Sequence, residues 1–328
     1  MSAEGGTRAV VAALLANTGI AVTKFLAFAL TGSSSMLAEG IHSVADSGNQ
    51  GLLLLGGRKA QKQATAEHPF GYGRERYVYS FLVSIVLFSV GGLFALYEAW
   101  HKFQEVHAAH GHPADSIIDS RWWWVPIVVL VIAIFLEGLS FRTALHETAK
   151  IKGDASFGEF IRRAKQPELP VILLEDLAAL TGLVFALVGV GTSLLTRSLY
   201  WDVAGTGLIG VLLVVVAVVL GVETKSLLLG ESASVEAQAR IMAALAQTDG
   251  IDRVIHMKTM HLGPEELLVA AKIAVPAAGS ASDVAAAIDR AEDAVRRAEP
   301  TARAVYIEPD VSDPDGDRRS ARGASPGQ

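Results

Sequence analysis

The chain has 328 residues, of which 51% are hydrophobic and 19% charged, with no cysteine. So low a charged fraction points away from a soluble globular protein, and the missing thiols exclude disulfides and thiolate metal ligands. The net charge is −6, and the region from Glu231 onward carries 11 Lys/Arg against 16 Asp/Glu, which argues against nucleic-acid binding. Six stretches, near 9–31, 34–57, 77–100, 122–145, 169–195 and 200–222, have the length and apolarity that a membrane crossing needs. The short stretch before Arg8 predicts no cleavable leader. The second stretch is the most polar and is read as a span because five others frame it.

Orientation follows from the basic loops. Arg58, Lys59, Lys62, Arg74 and Arg76 lie between the second and third spans, and Lys150, Lys152, Arg162, Arg163 and Lys165 between the fourth and fifth. These loops are predicted on the cytoplasmic side, which puts both termini there in a cell (inner) membrane. Trp100, Trp122, Trp123, Trp124 and Trp201 then form an outer interfacial belt.

Beyond Gly230 the composition becomes that of a soluble domain. A first helix is expected to bury Val235, Ala239, Met242 and Ala246 on one face. A strand over 253–261 turns at Gly263-Pro264 into a second strand, where Leu267, Val269, Ala271, Ile273 and Val275 alternate. A second helix with Val284, Ile288, Ala291 and Val295 on one face precedes a strand over 304–307. The α-β-β-α-β order predicts a small α+β sheet with helices on one side. The expected organisation is a transmembrane domain over 1–230, a cytoplasmic domain over 231–312 and a disordered tail over 313–328.

Ionisable residues inside a span are expensive and are functional candidates by default. The second span carries Glu39, His42 and Asp46. His42 and Asp46 are four apart, so they sit about 40° apart around the helix and about 6 Å along it, and can reach one ion together. The plainer reading is a polar helix lining a water cavity. The fifth span carries Glu175 and Asp176, which cannot both be ionised cheaply in an apolar setting. As neighbours they differ by about 100° around the axis, so one is expected to face an ion and the other a neighbouring helix. A solvated pair at a helix end is the alternative. Asn17, Lys24 and Glu137 are further polar groups. Lys24 is close enough to a span end to snorkel, and Glu137 fits pairing with Lys24 or Arg142. His101, His107, His110 and His112 read as a solvated outer loop rather than a metal cluster, and His256 and His261 as structural strand residues.

At these residues the chain resembles the cation diffusion facilitators. Ser33-Ser-Ser-Met-Leu-Ala-Glu-Gly-Ile-His42-Ser43-Val-Ala-Asp46 is similar to their second-span signature, and His68-Pro-Phe-Gly-Tyr-Gly-Arg74 to their following loop. The Gly263-Pro264 hairpin and Tyr306-Ile-Glu-Pro309 resemble their cytoplasmic domain. The run from Glu39 to Leu55, with Asn49-Gln50, and the Glu175-Asp176 pair look closest to the branch containing zinc transporter nine. The resemblance implies an α-helical integral membrane protein of six transmembrane helices, a ferredoxin-like cytoplasmic domain, a homodimer, and metal-for-proton antiport. Its tetrahedral site, carried over, gives His42, Asp46 and Asp176. The fourth position is Ile172, which cannot ligate. It shares Asp176's helical face and is expected to look into the same cavity, so Glu175 is the candidate substitute, with Glu137, Glu39 or water as others. The loop site of the family would retain His68 but has Tyr72 as its other position. The cytoplasmic bridging site has Tyr306 and Ala271 where histidines are needed, and none is expected.

The reading is a non-enzymatic efflux transporter that carries zinc by preference, with manganese, iron, cobalt or nickel as alternatives, exchanging metal for protons with no cofactor. Its partners are the ion, protons, the bilayer and a second copy of the chain. A membrane metal sensor or scaffold is the rival reading. A membrane hydrolase lacks a His-Glu-x-x-His or nucleophile-elbow motif.

Overall fold

The computed structural model describes residues 4–31, 34–108, 121–153 and 155–311. The expected disordered tail, His110 and His112 lie outside the described residues, as do the side chains of Glu39 and His42. The chain forms two compact units: residues 1–63 with 74–228, and residues 64–73 with the chain from Leu229 onward.

The first unit is all helix. In order it contains α1 (Glu4–Thr31), α2 (Ser34–Ala60), α3 (Glu75–Val86), a π-helical segment (Leu87–Leu93), α4 (Phe94–Ala108), α5 (Val125–Lys152), α6 (Phe157–Arg163), α7 (Glu168–Thr196) and α8 (Tyr200–Leu229). Among the described residues, four stretches are long and apolar enough to cross a bilayer: Glu75–Ala108, Val125–Lys152, Glu168–Thr196 and Tyr200–Leu229. The π segment falls at Leu87-Phe-Ser-Val-Gly-Gly-Leu93, where the widened turn departs from regular helix geometry. Helix α5 begins with Pro126 in its first turn and ends at Gly153, whose φ of 57° needs a residue without a Cβ.

These helices bury apolar residues inward and expose others outward, as a lipid-facing bundle does. On α8, Leu208, Val211, Val215, Val218 and Val222 are exposed at helical spacing, a stripe that hydrocarbon rather than water would cover. One internal cluster joins Leu53 of α2, Val83 of α3, Ala144 of α5, Leu169 and Ile172 of α7, and Leu213 and Leu220 of α8. A second joins Ile20 of α1, Leu130 and Ala133 of α5, and Leu183 and Val190 of α7. Helices α7 and α8 approach closely at Gly205, where a Cβ would come within 2.9 Å of the Phe185 carbonyl oxygen, so a small residue is needed there. Arg76 of α3 pairs with Glu168 at the start of α7, and Tyr77 Oη donates to the Lys165 carbonyl.

Helix α4 continues to Ala108, so His101 and His107 are helical rather than loop residues, contrary to the sequence expectation. Their rings are engaged: His101 stacks on Tyr97 and His107 on Phe103. Trp100, Trp122, Trp123, Trp124 and Trp201 are all exposed, the last by 52%, as belt residues are.

The second unit contains α9 (Val235–Ala246), β1 (Arg253–Gly263), β2 (Glu266–Val275), α10 (Ala281–Ala298) and β3 (Ala302–Val311). The sheet order is β1-β2-β3. Strands β1 and β2 form an antiparallel hairpin with Thr259 opposite Val269. Strand β3 runs parallel to β2, with Val305 opposite Val269, the pairing that a helical crossover through α10 permits. The alternating residues Leu267, Val269, Ala271, Ile273 and Val275 are all buried, as their period of two predicts. Helix α10 opens with a capping box between Ser280 and Asp283.

Helix α9 corrects the sequence reading. It buries Ala237, Ile241 and Leu245, while Val235 is 79% exposed and Met242 is exposed too. An alanine-rich helix offers several apolar stripes, and the one carrying Ile241 and Leu245 is the one that joins the buried cluster of Val269, Ile273, Ala291 and Val295.

The loop 64–73 packs on the β1–β2 hairpin within this unit. A Cβ on Gly263 would lie 2.8 Å from Gly73 Cα, and one on Gly73 would lie 3.0 Å from the Leu262 carbonyl oxygen. Two glycines allow the backbones to touch. In the same loop the His68 ring meets Tyr72 edge-on at 4.6 Å, and Tyr72 Oη lies 3.3 Å from Thr65 Oγ1.

Candidate functional site

The acidic pair on α7 lies deep in the first unit. Glu175 and Asp176 are 3% and 1% exposed, which excludes the solvated helix-end reading. Their side chains diverge, as adjacent helical residues must. The Glu175 carboxylate points to α2, where Asn49 Nδ2 donates to Oε1 at 2.9 Å and Gln50 Nε2 donates to Oε2 at 3.3 Å. Asp176 points to α5, where Ser140 Oγ donates to its Oδ2 at 2.9 Å. Both acids are therefore held by neutral donors.

Asp46 of α2 is also buried and lies within coulombic reach of both Glu175 and Asp176. Glu137 of α5, buried one turn before Ser140, interacts with Glu175 in the same way. Four carboxyl groups from three helices thus share one apolar interior. Among the described residues, no three His, Asp or Glu side chains converge at metal-ligating distance. The His42 side chain is outside the described residues, and its backbone sits on α2 one turn before Asp46. Ile172 belongs to the apolar cluster with Leu53, Val83 and Leu87 and is 1% exposed. Arg142 is exposed and does not share the buried setting of Glu137.

Sequence reasoning singled out the acids but not all of their holders. Ser140 carried a usable signal: it is three residues after Glu137, on the same helical face. Asn49 and Gln50 follow Asp46 by three and four residues, which also sets them on its side of α2. Gln50 is steadied in turn by Asn17 of α1, whose Nδ2 donates to Gln50 Oε1 at 3.3 Å.

Lys24 corrects a second expectation. It does not snorkel to a boundary: it is 3% exposed, and its Nζ donates to Ser43 Oγ of α2 at 2.9 Å. Lys24–Ser43 and Asn17–Gln50 are seven residues apart on each helix, in opposite chain directions, so one antiparallel register carries both contacts.

Buried carboxylates held by amides and a hydroxyl, on helices with apolar outer faces, suit a cation passing through a membrane. Residues 10–229 match the cation efflux transmembrane domain. The chain belongs to the cation efflux family. Members of this family are transporters rather than enzymes, and the chain is a membrane protein. It is 32% identical over 264 residues to the proton-coupled zinc antiporter SLC30A9, mitochondrial, of Mus musculus, covering 79% of this chain and 44% of that protein. The Homo sapiens protein of the same name is 32% identical over 265 residues, with the same coverages. Metal tolerance protein C4 of Arabidopsis thaliana is 27% identical over 277 residues, 81% of this chain and 56% of the relative. The chain thus spans about half the length of these relatives.

Proposed function

We propose that this chain exports a divalent transition-metal ion, zinc by preference, in exchange for protons. The observation that carries this reading is the buried set of Asp46, Glu175 and Asp176 across α2 and α7, with each α7 acid held by a donor on a neighbouring helix. Similarity to proteins named as proton-coupled zinc antiporters supports the choice of ion and counter-ion.

In this reading His42, Asp46 and Asp176 ligate the ion, and Glu175 supplies the ligand that Ile172 cannot. Imidazole with carboxylates suits zinc, and the high carboxylate share leaves manganese, iron, cobalt and nickel as competing substrates. Ligands must shed protons to bind metal, so metal entry from one side releases protons, and protons from the other side release the metal. Helices α1, α2, α3–α4, α5, α7 and α8 act as six spans that expose the site alternately to each side. The basic loops and both termini face the cytoplasm of a cell membrane. Residues 231–312 form a ferredoxin-like cytoplasmic domain, and two copies of the chain form the working dimer.

The test is a flux panel on the purified full chain in liposomes, with zinc, manganese, iron, cobalt and nickel and an imposed proton gradient. Zinc flux that rises when protons run the opposite way is the expected result. Metal binding without flux under any gradient would overturn the transporter reading in favour of a sensor or scaffold.

A further inference from the structure

The basic-loop end of the bundle holds two buried oxygen atoms that the proposed ligand set does not use. Helices α5 and α7 pack antiparallel in one register. Ala133 and Leu183 share one apolar cluster, Ser140 donates to Asp176, and Ala144 and Ile172 share the other cluster. Carried one turn further, that register sets Thr148 opposite Glu168. Thr148 is the last member of the buried stripe of α5 that runs through Glu137, Ser140 and Ala144. Glu168 opens α7. It lies seven residues before Glu175, so it shares that residue's face about 10 Å nearer the basic loops.

Both residues are deeply buried, and each has an oxygen left unmatched. Thr148 is 0% and Glu168 7% exposed. Arg76 of α3 holds Glu168 Oε1, while Glu168 Oε2 and Thr148 Oγ1 have no hydrogen-bond partner among the described residues. A helical threonine commonly turns its hydroxyl back to the carbonyl four residues earlier, as Thr143, Thr181 and Thr224 do here. Thr148 does not. Burying an oxygen without a partner costs free energy that a bound cation would recover. Other acids at this end are paired near the surface, Glu147 with Lys150 and Glu159 with Arg163.

We propose that Glu168 Oε2 and Thr148 Oγ1 form a loading site for a divalent cation, which takes the ion at the basic-loop end and passes it over Ile172 to Glu175 and Asp176. This rests on the reading of the chain as a metal exporter with ligands on α2 and α7. Two protein oxygens leave water to complete the ion's shell, so the ion arrives still partly hydrated. Arg76 offsets much of the Glu168 charge and keeps the hold weak. An ion on a path must bind well enough to enter and weakly enough to leave. Removing Glu168 and removing Arg76 therefore act on loading in opposite directions.

The experiment is zinc chloride uptake into inside-out membrane vesicles that carry the full chain, with the interior made acidic. Uptake is measured against zinc concentration for Glu168→Gln, Arg76→Gln, Thr148→Val and Asp176→Asn. Glu168→Gln is expected to raise the zinc concentration for half-maximal uptake about tenfold, the size of a lost contact to a charged group. Thr148→Val should raise it severalfold. Arg76→Gln should lower it and also lower the maximal rate, because the loading site then releases the ion more slowly. A merely structural ion pair would make Glu168→Gln and Arg76→Gln behave alike. Shifts of the same sign, or no shift in either, would overturn the proposal. If either of these variants fails to fold, Thr148→Val decides, since it leaves the ion pair in place: a half-maximal concentration equal to the wild type's would overturn the loading site. Asp176→Asn separates this proposal from the one it rests on. Wild-type uptake in Asp176→Asn would overturn the ligand assignment and the loading site with it. Abolished uptake in Asp176→Asn without opposed shifts at Glu168 and Arg76 would overturn the loading site alone.

Discussion

Removing the Asn49 amide is a sharp probe of how Glu175 is used. Asn49 is fully buried, and its Nδ2 donates to Glu175 Oε1 at 2.9 Å. In Asn49→Ala that oxygen loses its donor inside the bundle, while Gln50 still holds the other oxygen. A hydrogen bond to a charged group contributes about 1.5–3 kcal/mol, and about 1.4 kcal/mol is a tenfold change in an equilibrium constant. Each carboxylate oxygen has a second lone pair, so the amide can stay bound while Glu175 ligates an ion. The amide then acts as an outer partner of a ligand, whose loss typically costs 10- to 100-fold in metal affinity. Both routes give the same range. We expect Asn49→Ala to bind zinc about 10- to 100-fold more weakly by calorimetry, with the zinc concentration for half-maximal flux raised in step. Wild-type affinity in a variant that remains folded by thermal melting would refute the reasoning, because the orientation of Glu175 would then not matter to the ion.

Three further predictions follow from other parts of the molecule. Ile172→His buries an imidazole among apolar side chains at a cost of about 1–3 kcal/mol, so it should lower the melting temperature and leave the zinc-to-manganese flux ratio unchanged. A gain in zinc preference would mean that position 172 faces the ion, as its spacing from Asp176 on one helical face suggests. Gly263→Val would push a side chain into the Gly73 backbone. Overpacking of that kind costs about 1–3 kcal/mol, and it should lower the melting temperature of the full chain. An unchanged melting temperature would mean the loop is not held there. In α10, hydrogen bonds from Ser280 hold the exposed Asp283 carboxyl below its usual value of 3.8. A carboxyl lowered in the folded state stabilises above its unfolded pKa and loses that stabilisation as pH falls through the folded one. Wild type should therefore lose stability relative to Asp283→Asn below about pH 4; parallel acid melting curves would contradict this.

Much of the helical layout was legible because long apolar runs leave few alternatives. The same is true of β2, whose strict alternation has one buried solution. The face of α9 was not legible, because alanine carries little transfer energy and several stripes of the helix look alike. The extent of α4 was hidden by a polar sequence past Trp100, where aromatic stacking of His101 and His107 accompanies a helix longer than hydropathy suggests. At the site, Asp46, Glu175 and Asp176 stood out because charge inside a span is costly. The partners that steady the two α7 acids did not, since Ser140, Asn49 and Gln50 acquire meaning only when α2, α5 and α7 meet. Lys24 was misread for a related reason. Its distance from a span end permits snorkelling, and only the packing of α1 on α2 shows the ammonium turned inward to Ser43.

The central claim is that Asp46 and Asp176 carry the transported ion, and zinc flux through Asp46→Ala and Asp176→Ala tests it most directly. The purified full-length variants would be placed in liposomes holding a zinc-sensitive dye, with a proton gradient imposed and folding checked by thermal melting. Near-complete loss of zinc flux in each folded variant is the predicted result. Wild-type flux in a folded Asp46→Ala protein would contradict the account and locate the ion path elsewhere in the bundle.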